Sequence, residues 1–513
     1  MALQIGRKGL RSAVVATACA AACLLALPAA MARQVGPPAA SGRPNVLIVI
    51  FDDLNDWTGP TKGHPQAFTP ALDSLARRGV NFTNAHVQAP LCNPSRSSFL
   101  SGLRPSTTAI YALNPSMRTA LANYPELRDH VTLPGYFTQQ GYRTITIGKV
   151  FHTLEPQFRQ REFQIWVEAG RGARPAARVA GGELPPETPA GLRTVVDWGP
   201  FPARDGDHED HKIADAAVVQ LRTMPRDKPF FMAIGFHLPH VPVFAPPKWF
   251  DRIPADKVIL PPLKHGDRND TPDFSWYLHW KLPEPRLSWY EKFHEEAPFV
   301  RAYLAGTTFA DAQLGRVLGA LTEAGLDRNT IVVAFGDHGY HLGEQEISGK
   351  NSLWERSTHV PFVMAGPGVP RRDVGDPVEL LDLYPTLVAL TKLPPRQGLD
   401  GQSLVPQMQG RRRTRPAITT ANQGNHAIRT DRWRYIHYAD GSEELYDRRA
   451  DPNEWTNLAK NPKYRDIIRR LAKWLPAIDR PAVPGSVARA LTRGPGGQWQ
   501  WEGKPIVPSE VVK

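Results

Sequence analysis

Four short hydrophobic runs of the chain are each followed by polar side chains. The runs are residues 46–51 (VLIVIF), 142–147 (YRTITI), 230–236 (FFMAIGF) and 331–335 (IVVAF). Runs of this kind are typical of strands buried on both faces of a parallel sheet. The groups that follow include Asp52-Asp53, Lys149, His237 to His240, and Asp337-His338. Because parallel strands end at one edge of a sheet, the pattern predicts a site at that edge.

Amphipathic stretches between these runs predict helices. Residues 69–79 begin with Thr-Pro, carry leucines on one face and end in glycine, which are start and stop signals of a helix. Residues 310–326 carry an apolar stripe, and residues 382–390 form a third candidate. Strands that alternate with helices predict an α/β fold, in which residues 44–393 form a large doubly wound domain with a mainly parallel sheet.

Two segments interrupt the alternation. Residues 168–210 are rich in Gly, Ala and Pro and are interpreted as a long loop, whereas residues 246–299 are rich in Pro, Trp and Tyr. Long loops in a compact domain are often functional, and aromatic side chains can stack on sugar rings. The same aromatic side chains can instead pack the segment onto the domain, and the sequence leaves both interpretations open.

The pattern changes from residue 394. Residues 427–438 and 444–447 predict antiparallel strands joined by a turn at Asp440-Gly441. Residues 462–475 have the periodicity of an amphipathic helix. The sequence therefore predicts a smaller α+β C-terminal subdomain with an antiparallel sheet over residues 394–480. A Pro/Gly-rich tail, packed on the surface, is expected over residues 481–513.

The N-terminus has the features of a secretory signal peptide over residues 1–32. Arg7, Lys8 and Arg11 precede an apolar run at residues 12–27, and a small-x-small cleavage site follows at residues 30–32. The run is short for a membrane span, and no later stretch is long and apolar enough to be one. We therefore expect a periplasmic or secreted protein with no stable membrane span after signal cleavage.

Cysteine usage singles out Cys92. The chain has three cysteines, and signal cleavage removes Cys19 and Cys23. A single remaining cysteine has no partner for a disulfide within the chain, which favours a chemical role over a stabilising one.

The formal net charge is +12, so the chain is basic even without its signal. A basic balance fits nucleic acid, a membrane surface or an acidic substrate. No Lys/Arg block is interleaved with aromatic residues, so a nucleic-acid partner is not expected. An anionic substrate fits an exported basic enzyme better.

The paired acidic residues suggest a metal site. Asp52 and Asp53, together with Asp337-His338, offer mostly oxygen ligands, which suit Ca²⁺ or Mg²⁺. A second group, His208, Asp210 and His211, lies in the Gly-rich segment and is interpreted as surface. The remaining polar residues near the strand ends are not assigned to the site: His237, His341 and Glu344.

Residues 91–105 (LCNPSRSSFLSGLRP) carry the most specific motif. Pro94 suits the first turn of a helix, which puts Cys92 at a helix N-terminus that favours an anion. Arg96 adds a planar donor fork for sulfate or phosphate. A lone cysteine before a helix is usually a small buried hydrophobe, but the whole stretch resembles the signature of type I sulfatases, which belong to the alkaline-phosphatase superfamily.

The resemblance spans most of residues 44–458 and is weak in the two interrupting segments. Its HxPH element at residues 237–240 and the HVP run at residues 359–361 resemble the iduronate-2-sulfatase branch. Many members of the family have Asp-Asn where this chain has Asp337-His338.

The resemblance implies a cofactor and a nucleophile. Cys92 would be oxidised to formylglycine (3-oxoalanine) by a maturation enzyme, and the hydrate would attack the sulfur of a sulfate ester. A divalent cation, usually calcium and with magnesium possible, would be held by the modified residue and by four side chains, which are Asp52, Asp53, Asp337 and His338.

Further residues are matched by the family's motifs. Lys149 and His152 match a Gly-Lys-x-x-His element, His240 a distal histidine and Lys350 a second lysine. Arg96, Lys149 and Lys350 would offset charge on the sulfate, and Lys149, His240 and Lys350 would contact substrate. His240 or Lys350 would protonate the leaving alcohol, and His152 would accept the proton from the second hydroxyl.

The sequence therefore predicts an exported sulfatase that hydrolyses sulfate esters of sugars or polysaccharides, with 2-O-sulfated uronic acids as the expected substrate class. Two alternatives remain. One is a phosphate mono- or diester hydrolase of the same superfamily. The other is a non-catalytic sulfated-glycan-binding protein, which would be expected to lack Cys92, Asp337 or Lys350. The sugar, the sulfate position, exo or endo action and the oligomeric state stay open.

Overall fold

The computed structural model describes residues 42–180 and 196–510, so the predicted signal peptide lies outside the described residues. Within these ranges the main sheet has eight strands, which are β1 Asn45–Asp52, β2 Val80–Phe82, β3 Arg143–Gly148, β4 Ile165–Val167, β5 Phe230–Pro239, β6 Thr330–Gly336, β7 Phe362–Ala365 and β8 Arg372–Val374. Their order is β8-β2-β7-β6-β1-β5-β3-β4. Strand β7 is antiparallel to both neighbours, and the other strands run in one direction. The predicted mainly parallel sheet is confirmed, and the four hydrophobic runs form β1, β3, β5 and β6 at its centre.

Helices cover both faces of this sheet. They are α1 Pro70–Arg78, α2 Cys92–Ser101, α3 Pro105–Thr108, α4 Met117–Leu121, α5 Leu133–Gln139, α6 Arg159–Glu162, α7 Glu209–Thr223, α8 Leu287–Phe293, α9 Glu296–Glu323, α10 Glu355–Thr358, α11 Leu383–Leu390, α12 Val405–Met408 and α13 Arg465–Ala472. Strand β1 shows why both faces need cover, because Leu47 and Val49 pack with α1, α7 and α9, whereas Ile48 and Ile50 pack with α2, α5 and α11. This is the doubly wound arrangement that the sequence predicts.

Short strands lie outside the main sheet. They pair Ala85–His86 with His359–Val360 and Val378–Glu379, His341–Leu342 with Ser348–Gly349, and Trp198–Pro200 with Val243–Ala245.

Helix α9 is longer than the sequence pattern suggests. It begins at Glu296, inside the segment expected to be a loop, and ends at Glu323. Phe299, Val300 and Tyr303 in its first turns are buried, so this part of the helix is held by tertiary packing. Pro298 does not break the helix because it lies in the first turn, where its missing N–H has no intrahelical partner to lose.

The aromatic segment packs as core. Phe274, Trp276 and Trp280 are buried in a cluster with Tyr438 and Trp501. Of the two interpretations that the sequence leaves open, the structure therefore supports packing for these side chains, and they are not available to stack on a sugar.

An antiparallel sheet forms the C-terminal region. Its strands are β9 Ala417–Thr420, β10 His426–Arg429, β11 Trp433–His437 and β12 Glu443–Asp447. The stretch 427–438, predicted as one strand, contains a turn in which Thr430 N–H donates to the Trp433 carbonyl at 2.9 Å. Helix α13 packs on this sheet through Ile468 and Leu471, which confirms its amphipathic pattern. The boundary at residue 394 stays a prediction, since the described residues on both sides of it belong to one compact unit.

The segment expected to be a tail has structure of its own. Strands β13 Leu491–Arg493, β14 Trp499–Trp501 and β15 Lys504–Pro505 form an antiparallel sheet. Val483, Leu491 and Trp501 are buried. In the described ranges, no helix has both the length and the apolar character that crossing a membrane requires.

Candidate active site

The carboxyl ends of β1, β3, β5 and β6 meet at one edge of the sheet, as predicted. The start of helix α2 and the loop after the short strand Ser348–Gly349 approach the same edge. Nine residues expected from the sequence are brought into one connected network there, and they are Asp52, Asp53, Cys92, Arg96, Lys149, His240, Asp337, His338 and Lys350.

Cys92 lies at the centre of the network and is 1% exposed. It is the first residue of α2, with Pro94 in the first turn, and the helix ends at Gly102, whose φ of 72° a glycine adopts without strain. Its sulfur lies 3.2 Å from Lys350 Nζ and 3.2 Å from His338 Nε2. Asp52 Oδ1 is 3.6 Å away. The predicted position of Cys92 at a helix N-terminus is confirmed.

The surroundings of Cys92 favour negative charge at this position. Burial opposes ionisation of the thiol, but the charges of Lys350, Lys149 and His338 outweigh it and hold the pKa well below its ordinary value. Burial alone would also lower the pKa of His338, yet Asp337 and Cys92 raise it to about 9. A group that becomes anionic at residue 92, or next to it, is therefore stabilised.

Asp53 makes a sharp turn at the end of β1. Its φ of 64° is in the left-handed region, which a non-glycine residue rarely adopts unless its surroundings hold it there. The hydrogen bonds that hold it are from Asp53 N–H to Asp337 Oδ1 at 3.0 Å and from the Tyr303 hydroxyl to the Asp53 carbonyl at 2.6 Å. The turn aims two successive carboxylates, Asp52 and Asp53, into the site.

Four side chains could hold a metal ion. Ligand atoms of Asp52, Asp53, Cys92 and His338 lie within 4.8 Å of one another, and all four residues are buried. Asp53 Oδ2 has no hydrogen-bond partner in the part of the chain that the structure describes. Two carboxylates and an orphaned oxygen fit a divalent cation that prefers oxygen ligands.

Asp337, a predicted fifth ligand, lies beside this group rather than in it. Its Oδ1 accepts N–H groups of Asp53 and His338, at 3.0 and 2.9 Å, and its Oδ2 accepts Arg96 Nε at 2.8 Å. A carboxylate has about four acceptor sites, so these hydrogen bonds leave Asp337 able to bind a metal ion, and its role as a ligand stays a prediction. In this arrangement Asp337 holds the turn of Asp53 and the backbone of His338 in place.

Arg96 is 1% exposed and is occupied by protein groups. Besides Asp337, its guanidinium binds the carbonyl groups of Lys149 and Val150, and its Nη2 lies 3.4 Å from Asp52 Oδ1. Burial opposes the charge of Arg96, but Asp337 and Asp52 raise its pKa. These contacts join the ends of β1, β3 and β6. Arg96 Nη2 has no hydrogen-bond partner among the described residues, so the contact with sulfate that the sequence predicts stays a prediction.

The two lysines both pair with the aspartates of β1. Lys149 Nζ forms an ion pair with Asp52, and Lys350 Nζ lies 2.7 Å from Asp53 Oδ1. Burial would lower the pKa of each ammonium group, but the aspartates and Cys92 raise it. Both side chains thus stay charged next to residue 92.

The two predicted histidines, His240 and His152, both lie near the cluster. His240 Nε2 is 3.8 Å from Asp53 Oδ2, and its Nδ1 binds the Val241 carbonyl. His152 is half-buried, and a hydrogen bond from it contributes to the lowered pKa of Cys92. His152 Nδ1 has no partner among the described residues.

The interpretation of His208 and Asp210 as surface is wrong. His208 caps α7, since its Nδ1 accepts Asp210 N–H at 3.0 Å, and its Nε2 contacts the Phe244 carbonyl at 3.1 Å. Asp210 is fully buried and accepts the N–H groups of His237 and Leu238 at 2.7 and 2.9 Å. Asp210 therefore fixes the turn that carries His240.

Other residues near the site make contacts outside the catalytic cluster or support it. His341 contacts Ser352 Oγ at 2.8 Å, and Glu344 pairs with Arg356 at 2.7 Å, so neither reaches the cluster. Tyr303 holds Asp53 from within α9, and nothing in the sequence around it distinguishes it from a core tyrosine. The side chain of His237 lies 3.6 Å from Glu209 Oε1.

Comparison with protein families gives two matches. A model described as "Sulfatase" matches residues 44–393. A model described as "N-sulphoglucosamine sulphohydrolase, C-terminal" matches residues 343–480.

Curated relatives are similar over most of the chain. A "Sulfatase" of Formosa agariphila is 40% identical over 440 residues, which cover 85% of this chain and 86% of the relative. "Iduronate 2-sulfatase" of Homo sapiens is 30% identical over 407 residues, covering 69% of this chain and 70% of the relative.

Solved structures share the fold. A "2-O GAG sulfatase" superimposes with a TM-score of 0.63 at 26% identity, covering 84% of this chain and 91% of the other. A phosphonate monoester hydrolase from Silicibacter pomeroyi has a TM-score of 0.68 at 21% identity, covering 84% and 94%. The second similarity concerns the fold alone.

Proposed function

Since this chain belongs to the sulfatase family and hydrolyses sulfate esters, we propose that it uses a formylglycine nucleophile derived from Cys92 and a divalent cation. We further propose that its substrates are 2-O-sulfated uronic acids of glycosaminoglycan type.

The observation that carries this proposal is the position of Cys92. The residue that matches the family's modified cysteine is buried between Lys350, His338 and Asp52, at 3.2, 3.2 and 3.6 Å. The same cations that lower its pKa would stabilise the anion that forms when sulfate is transferred. The Cys92 sulfur marks the place where a hydroxyl of the hydrated aldehyde would be.

The metal site is proposed on the donor set. Asp52, Asp53, Asp337, His338 and the modified residue 92 would hold the ion. Asp337 would also keep Asp53 and His338 in position. Calcium suits carboxylate oxygens in a flexible coordination shell, and magnesium is the second choice. When bound, the ion would withdraw charge from the sulfate oxygens.

The protein residues then have separate roles in the reaction. One hydroxyl of the hydrated residue 92 would attack sulfur, and the bond from sulfur to the sugar oxygen would break. Lys149 and Lys350 would face the sulfate as fixed cations. Lys350 is a poor proton donor, because Asp53 and Cys92 raise its pKa against the effect of burial. His240 is therefore proposed to protonate the leaving alcohol.

Release of sulfate would use the other histidine. His152 would accept the proton of the second hydroxyl, so that the aldehyde re-forms as the bond to sulfate breaks. Its unpartnered Nδ1 and its hydrogen bond toward residue 92 support this role. Water would then hydrate the aldehyde for the next turnover.

The substrate class rests on the named relatives. One relative is named for the 2-sulfate of iduronate, and one solved structure is named a 2-O GAG sulfatase. The basic net charge of +12 supports an anionic substrate. Export to the periplasm or the medium, through the predicted signal peptide, would give access to such polysaccharides.

Sulfate release from defined sugars tests the function. We would produce the protein together with a formylglycine-generating enzyme and compare a 2-O-sulfated uronate disaccharide with its 6-O-sulfated isomer. Matched aryl sulfate and aryl phosphate report the reaction class, and Cys92→Ala is the inactive control. We expect sulfate from the 2-O-sulfated sugar, far slower turnover of the phosphate and loss of both activities in Cys92→Ala.

Two results would contradict the proposed function. Release of 6-O-sulfate alone would contradict the substrate class. A phosphate ester cleaved faster than its matched sulfate would favour the phosphate hydrolase alternative.

A further inference from the structure

The C-terminal segment brings one more cation to the site. Arg489 lies after residue 480, where the second family match ends, and before β13. Its backbone is held on both sides, because the Ala488 carbonyl accepts Leu113 N–H at 3.0 Å, and Leu491 N–H donates to Asn422 Oδ1 at 3.0 Å. The segment is therefore attached to the catalytic domain and to the C-terminal sheet at once.

The side chain of Arg489 reaches the wall of the site through Glu284. Arg489 Nη2 lies 2.9 Å from Glu284 Oε1. Glu284 packs against Gly349, where a Cβ would be only 3.2 Å from Glu284 Cγ. The next residue, Lys350, contacts the Cys92 sulfur at 3.2 Å. Arg489 and Glu284 thus lie directly beside the lysine that faces the nucleophile.

Electrostatics agree with this placement. Burial opposes the charge of Arg489, but Glu284 raises its pKa, and the negative charges of Cys92 and Asp53 contribute to the same shift. Arg489 is therefore close enough to be influenced by the reacting groups, although it comes from the far end of the chain.

The hydrogen bonding of this pair is incomplete. Arg489 Nη1 and Glu284 Oε2 are both buried and have no hydrogen-bond partner within the described ranges. The Arg489 side chain nevertheless keeps 13% of its surface exposed, against 2% for Glu284. A guanidinium N–H without an acceptor is costly, and a carboxylate or sulfate has the geometry to accept from it.

We propose that Arg489 binds a second anionic group on the substrate, a carboxylate or a further sulfate, and so selects sulfated sugars that carry two negative charges. Glu284 holds the guanidinium in place. The proposal rests on the proposed function, because it assigns a specificity residue to that reaction.

The test separates recognition of the second anion from hydrolysis in general. The first substrate pair is a 2-O-sulfated iduronide and its counterpart with a hydroxymethyl group in place of the carboxylate. The second pair is a hexosamine with one sulfate or with two. An aryl sulfate without a second anion serves as the reference.

The variants are Arg489→Met, which removes the positive charge, and Arg489→Lys, which keeps the charge but loses the planar, bidentate guanidinium. Arg493→Met is the matched control, because Arg493 lies on β13 with its guanidinium over the Trp499 ring at 4.6 Å. Thermal unfolding of each variant shows that it is folded.

Arg489→Met should lower kcat/KM about 10- to 100-fold on the dianionic member of one pair, mainly through KM. Turnover of the monoanionic members and of the aryl sulfate should stay within about twofold of the parent, since they lack the partner group. On the dianionic substrate, the kcat/KM of Arg489→Lys should lie between those of Arg489→Met and the parent. The kcat/KM of Arg493→Met should equal that of the parent. The affected pair identifies the anion as carboxylate or sulfate.

An equal loss on all substrates would overturn the proposal, because it would make Arg489 a structural residue. No loss on any substrate would overturn it as well. If the matured parent hydrolysed no sulfate ester at all, the proposed function itself would fall, a result that differs from both because the aryl sulfate would also be inert.

Discussion

Replacing Asp210 by asparagine should weaken both the fold and the reaction, although Asp210 does not touch the nucleophile. The carboxylate accepts two backbone N–H groups, those of His237 and Leu238, at 2.7 and 2.9 Å, and it is fully buried. An amide offers one oxygen and one NH₂ group, so one of the two N–H groups would face another donor.

The size of the effect follows from these contacts. A hydrogen bond to a charged group is worth about 1.5–3 kcal/mol, and an unsatisfied buried donor costs about 1–3 kcal/mol. We therefore expect the free energy of unfolding to fall by about 2–4 kcal/mol in Asp210→Asn. Because the same turn carries His240, kcat/KM on an aryl sulfate should fall by about 10- to 100-fold.

Urea unfolding and steady-state kinetics measure the two effects. Asp215→Asn is the matched control, since Asp215 lies on the same helix α7, is 52% exposed and pairs with Arg316 at the surface. An exposed pair contributes only about 0–1 kcal/mol. If both variants lost the same stability, or if Asp210→Asn kept full activity, the role given to Asp210 would be refuted.

Three other predictions concern the site and its surroundings. Lys350→Met should lower kcat about 100- to 1000-fold, and a loss confined to KM would contradict its role as a fixed cation near sulfur. A chelator should abolish turnover and lower the midpoint of thermal unfolding, and calcium should restore both, because an ion bound only by the folded state stabilises it; an unchanged midpoint would contradict the metal site. Burial lowers the pKa of His208 from 6.5 to about 4. As the pH falls, the unfolded chain therefore takes up a proton at a higher pH than the folded protein does. The free energy of unfolding should fall by up to about 3 kcal/mol between pH 6.5 and 4. His208→Asn keeps a helix cap and should flatten the dependence of stability on pH over this range. An equally steep dependence would contradict the role given to His208.

The parts of the site that could be predicted from sequence share a simple physical rule. Asp52, Lys149, His240 and Asp337 follow buried strands, and parallel strands end at the same edge. Cys92 lies at a helix start because Pro94 suits the first turn. These positions depend only on local sequence pattern and on topology, and both can be predicted from one sequence.

The other contributions depend on tertiary contacts that no local pattern encodes. Asp210, on helix α7, binds the backbone of strand β5, and Tyr303 reaches Asp53 from a long helix. Arg489 comes from a segment whose composition suggests only a tail. Trp276 and Trp280 have the composition of a sugar-binding surface, but the C-terminal sheet buries them.

The protein contacts of Arg96 could not be predicted from its motif. Its Nε and Nη1 donate to Asp337 and to two carbonyl groups. Its Nη2 has no hydrogen-bond partner among the described residues, so the predicted contact with sulfate stays a prediction.

The most direct test of the central claim is mass spectrometry of the tryptic peptide that spans residues 79–96, from protein made in cells that mature other sulfatases. The proposed function predicts the mass of an aldehyde at residue 92 in place of the thiol. An unmodified Cys92, in cells where a reference sulfatase is fully converted, would contradict the formylglycine mechanism.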